Sequence, residues 1–70
     1  MMKLTNRVKS LRSSNGWTQE QFAQMIGVTR QTIISLEKGS YTPSLLLAMQ
    51  ITRVFERPVE SIFYLEEESE

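Results

Sequence analysis

Apolar side chains along this chain recur at intervals of three and four, the spacing that places them on one side of an α-helix. In "LTNRVKSLRSSNG", Leu4, Val8 and Leu11 keep that interval, Thr5 or Asn6 stands where a cap is needed, and Gly16 can end the run. "TQEQFAQMIG" opens with Thr18 and Gln21 in the arrangement of a capping box and closes on Gly27, a residue suited to a left-handed helix stop. Trp17 before the cap and Phe22 in the second turn can close on each other as a hydrophobic staple. "VTRQTIISLEKG" repeats the design with apolar Val28, capping Thr29 and terminal Gly39. Beyond the turn-forming "SYTP", Leu45, Ala48, Ile51, Val54 and Phe55 make the apolar face of a fourth helix, with Leu47 and Met49 beside it. Val59, Ile62 and Phe63 keep helical spacing after Pro58. The pattern predicts an all-α, compact five-helix bundle, with helices at about 5–15, 18–26, 29–38, 44–55 and 58–63. One domain over residues 1–65 and an acidic tail at 66–70 complete the expected organisation.

The second and third predicted helices are joined by "GVT", the short glycine-containing turn of a helix-turn-helix unit, whose second helix can enter the major groove of DNA. A helix pair alone is weak evidence, so the surface of the third helix matters more. It holds Ile33 and Ile34 side by side. Successive residues turn by about 100°, so the two cannot share a narrow apolar stripe. Ile33 and Leu36 fall on the inward side. Arg30, Gln31, Ile34, Ser35 and Lys38 fan round the other. Arg can donate two hydrogen bonds to guanine, Gln can pair with adenine, and an aliphatic carbon can touch a thymine methyl. An ordinary polar exterior accounts for Arg30 and Gln31 but leaves Ile34 without a purpose.

Composition narrows the classes. The 70 residues suffice for a single domain with a small core. Cysteine and histidine are both absent, which removes disulfides, most zinc sites, thiol nucleophiles and the commonest general base. No nucleophile, base and orienting group can be assembled, so an enzyme is not expected, nor is a metal or other cofactor. Neither a long apolar run nor a signal-peptide pattern is present, and the expectation is a soluble, cytoplasmic protein without a membrane partner. The formal net charge of zero conceals an asymmetry. Residues 1–42 carry Lys3, Arg7, Lys9, Arg12, Arg30 and Lys38 against Glu20 and Glu37, a balance of +4, and residues 43–70 a balance of −4. The first part can face a polyanion.

The stretch "TQEQFAQMIGVTRQTIISLEKGSYTPS" closely resembles the Cro/phage-repressor, or XRE, helix-turn-helix family of bacterial transcription regulators. The agreement includes the "TQ" opening, the small Ala23, Gly27, "VTRQTI", "LEKG" and the following proline. "IFYLEEE" looks like the ending of small single-domain members. The resemblance implies a lambda repressor-like DNA-binding domain in a bacterial or phage-encoded, nucleoid-associated protein. It implies base-edge contacts from Arg30, Gln31, Ile34 and Ser35. It also implies phosphate contacts from Gln19, Thr29, Thr32, Lys38, Ser40 and Tyr41. Phosphate contacts set register and affinity rather than sequence choice. Two departures stand out: Trp17 occupies a position more often leucine, and Ser35 is short for base readout. Arg12 and Glu37 look like the family's structural ion pair, and a half-buried Glu37 needs such a partner.

The resulting expectation is a sequence-specific regulator of double-stranded DNA, with repression the favoured mode, acting as a homodimer on a palindromic operator. Ile62, Phe63, Tyr64 and Leu65 are the expected dimer contact, although the same side chains can instead close the monomer's own core. No small-molecule effector site is evident. The rival class is a protein-interaction or antitoxin-like module using the same fold.

Overall fold

The computed structural model describes residues 1–68. In chain order it contains strand β1 (Met2–Asn6), helices α1 (Val8–Ser14), α2 (Gln19–Ile26), α3 (Arg30–Lys38) and α4 (Leu45–Phe55), a 3-10 turn (Val59–Ser61) and strand β2 (Phe63–Glu67). The expected five-helix, all-α bundle is therefore corrected to four α-helices and a two-stranded antiparallel sheet.

Both ends of the chain depart from the helical expectation for a common reason. A spacing of four is compatible with a period of two as well as 3.6, so Leu4 and Val8 could belong to either pattern. Leu4 lies in β1 opposite Leu65, in a ladder running from Met2 opposite Glu67 to Asn6 opposite Phe63. The Arg7 amide donates to the Ile62 carbonyl at 2.9 Å, closing the ribbon at its inner end. Asn6 then makes the change to helix: its Oδ1 accepts from the Val8 amide at 3.0 Å and its Nδ2 donates to the Leu36 carbonyl at 3.0 Å. The expected fifth helix lasts only for the 3-10 turn. The next residues, "FYL", are aromatic and bulky and suit a half-buried pleated strand. Glu66 and Glu67 of the expected acidic tail belong to β2, while Ser69 and Glu70 lie outside the described residues.

The core is formed by Val8 of α1, Phe22, Ala23 and Ile26 of α2, Ile33 and Leu36 of α3, Leu47, Ala48 and Ile51 of α4, and Ile62 and Phe63 where the 3-10 turn passes into β2. Trp17 stacks on Phe22 at 6.2 Å and on Phe55 at 5.8 Å, so the staple before α2 also reaches α4. On α4 the buried stripe is turned from the expected one. Leu47 is inside, and Leu45 is 76% exposed. No helix among the described residues is long and apolar enough to cross a membrane.

Candidate nucleic-acid interface

Local chemistry sets the angle between α2 and α3. Thr18 caps α2 through a capping box: its Oγ1 accepts from the Gln21 amide at 3.0 Å, and its own amide donates to Gln21 Oε1 at 2.9 Å. Gly27 ends the helix at φ 74°, a left-handed conformation that costs a residue with a Cβ about 1 kcal/mol or more. The Val28 amide then donates back to the Ala23 carbonyl at 3.0 Å, and the Val28 side chain packs against the core. Thr29, in extended conformation, caps α3 by accepting from the Thr32 amide at 3.3 Å. Three residues thus turn the chain from α2 into α3, with the Gly27 and Val28 amides donating back to carbonyls of α2.

Ile33 and Leu36 are fully buried, which fixes the rotation of α3 about its axis. Arg30, Gln31 and Lys38 are exposed on the other side, with Ile34 and Ser35 half-buried between them. Ile34 does not join the core cluster. The salt bridges among the described residues join Arg12 to Glu37 and the Met1 ammonium to Glu67, and neither Arg30 nor Lys38 takes part in one there. The two threonines differ in access. Thr29 is exposed and Thr32 half-buried, and their hydroxyls lie 3.1 Å apart in a shared hydrogen bond. After α3, Gly39 takes φ 82°, and both the amide and the hydroxyl of Ser40 donate to the Ser35 carbonyl. Tyr41 is 39% exposed in the following loop.

Beneath this surface the first three helices are tied by one carboxylate. Arg12 donates from Nε to Glu37 Oε2 at 2.7 Å and from Nη2 to Oε1 at 3.2 Å, and its Nη1 donates to the Trp17 carbonyl at 2.7 Å. Gln19 Nε2 donates to the same Glu37 Oε1 at 3.1 Å. Glu37 stands near the end of α3 and Gln19 at the start of α2, and no spacing rule links them in the sequence. The four apolar residues at the chain end are not equivalent. Ile62 and Phe63 are in the core, Tyr64 is half-buried with the Arg7 guanidinium 5.1 Å from its ring centre, and Leu65 is 63% exposed.

Two cap-bounded helices joined by a three-residue turn, the second presenting a polar and cationic side to solvent, define a helix-turn-helix protein. The chain belongs to the helix-turn-helix family of XRE-type DNA-binding transcriptional regulators, whose model, described as helix-turn-helix, matches residues 8–62. It is 48% identical over 66 residues to the uncharacterised HTH-type transcriptional regulator YgzD of Bacillus subtilis, covering 94% of this chain and 100% of that one. It is 52% identical over 62 residues to an uncharacterised HTH-type transcriptional regulator of Methanothermobacter thermautotrophicus, covering 87% and 90%. Among solved structures, the restriction-modification controller protein C.AhdI of Aeromonas hydrophila superposes with a TM-score of 0.71 at 24% identity, over 79% of this chain and 80% of that one. That likeness is one of fold. The family is one of regulators rather than enzymes.

Proposed function

We propose that the protein is a sequence-specific repressor that binds a palindromic operator as a homodimer, with α3 in the major groove. The observation that carries this reading is the outward side of α3. Arg30 and Gln31 stand exposed in its first turn, and Ile34 beside them is committed to no core contact. Arg30 reads guanine, Gln31 reads adenine and Ile34 meets a thymine methyl, with Ser35 in a minor role. Gln19, Thr29, Thr32, Lys38, Ser40 and Tyr41 approach phosphates and set the register. Thr29, Thr32 and Ser40 do so with hydroxyls that already take part in internal bonds, so their share is smaller.

With few unpaired cations on this side, one copy binds weakly, and two copies on half-sites one helical turn apart, about 34 Å, supply the remaining affinity. The dimer contact draws on Leu65 and the half-buried Tyr64. Ile62 and Phe63 support them from inside the monomer. Met2, 50% exposed and on the same face of the ribbon as Leu65, extends the apolar surface.

Selection of bound duplexes from a random pool tests the reading directly. A palindrome with half-sites one turn apart is expected. Recovery of no preferred sequence would overturn it, and binding to a protein partner without salt dependence would move the function to an interaction module.

A further inference from the structure

Gln19 is half-buried at the first position of α2, and its Nε2 donates to Glu37 Oε1 at 3.1 Å. A carboxylate only accepts hydrogen bonds, so this contact decides which end of the amide faces inward: nitrogen, never oxygen. An amide nitrogen carries two N–H groups. With one engaged by Glu37, the other is held in the same plane and is available to a second acceptor. A phosphate oxygen is such an acceptor.

The Glu37 side chain is 5% exposed and is gripped from its other side by Arg12, itself 12% exposed, through two hydrogen bonds. The bidentate guanidinium does two things here. It prevents the carboxylate from turning, and it neutralises a negative charge that would otherwise sit one side chain away from a polyanion. The hydrogen bond from Arg12 Nη1 to the Trp17 carbonyl anchors this unit to the segment that leads into α2.

We propose that Glu37, held by Arg12, is a positioning residue for the DNA backbone: it fixes the Gln19 amide so that its second N–H is presented to a phosphate. The inference rests on the reading of Gln19 as a phosphate contact. Rotamer freedom of Gln19 is then lost on folding rather than on binding, and the ion pair contributes to affinity as well as to stability.

A double-mutant cycle tests this, because a purely structural pair would leave the cost of losing Gln19 unchanged. Gln19→Ala, Glu37→Met and the double variant are titrated at low salt against a mixed-sequence duplex of about two helical turns, since phosphate contacts need no particular sequence. Gln19→Ala is expected to raise Kd about fivefold in the native background and less than about twofold beside Glu37→Met. An equal loss in both backgrounds keeps the phosphate contact and removes the role of Glu37. Native affinity for Gln19→Ala removes the contact itself, and the inference with it. Side-chain amide NMR of the unsubstituted protein gives a measurement independent of any variant's folding. One Gln19 amide proton is expected to be shifted and protected in the free protein, and the other to move when the duplex is added. Two ordinary, equally exchanging amide protons in the free protein would overturn the proposal.

Discussion

Ile34 and Arg12 carry opposite kinds of information about α3. Ile34 is half-buried and outside the core cluster, so truncating it removes little packing. Ile34→Ala is expected to weaken binding to the preferred duplex roughly fivefold, the loss of about 1 kcal/mol of apolar contact, while the thermal midpoint moves by less than about 4 °C. A fall well beyond that, measured by circular dichroism, would place Ile34 in the core. Arg12 is the reverse case. Its guanidinium satisfies a carboxylate that is 5% exposed and a backbone carbonyl, and Arg12→Ala leaves the carbonyl without a donor and the carboxylate without its cation, held only by the Gln19 amide. Removing one partner of such a pair costs on the order of 3–5 kcal/mol. In a domain of this size the midpoint should drop by more than about 10 °C, and a melt within about 3 °C of native would show the pair to be dispensable.

Helix ends decide how the elements meet, and they offer a contrast between two residues in the same left-handed conformation. Gly27 at φ 74° ends α2, and a Cβ there would meet nothing within 4 Å, so Gly27→Ala isolates the backbone cost. A loss of about 1 kcal/mol is expected in denaturant titration. Glu56 ends α4 at φ 54° without being glycine. Glu56→Gly should therefore gain roughly 0.5 kcal/mol, the relief of strain outweighing the added freedom of the unfolded chain. A loss at Glu56 would show that its side chain is more than a strained stop. The central elements were legible in the sequence because their signals are local. The Thr18 and Gln21 box, Gly27, Thr29 and Gly39 all act within a few residues of themselves. The ribbon was not legible, because pairing Leu4 with Leu65 is a contact between opposite ends of the chain, and a spacing of four reads equally as helix or strand. The outward side of α3 followed from the position of Ile33, whereas the bond between Gln19 and Glu37 depends on the crossing of two helices and has no counterpart in spacing.

For the molecule as a whole, the ribbon changes the meaning of the charge asymmetry. The acidic end does not stand apart from the basic part: Lys3 lies opposite Glu66, and the Met1 ammonium is 3.1 Å from Glu67. It also changes how the proposed dimer is best probed. Removing everything after Arg57 would take Ile62 and Phe63 out of the core, so the exposed Leu65 is the better target. Leu65→Lys is expected to give a monomer in sedimentation while the far-ultraviolet spectrum stays native. A dimer of native mass would clear the ribbon of that role.

The pairing of Met2 with Glu67 has a further consequence during synthesis. Helices α1 to α4 all leave the ribosome before the last strand, which supplies part of the core and must return to the first. The nascent chain therefore carries the whole of α3 before it carries a finished domain, and it becomes fully folded only when β2 has emerged and closed on β1.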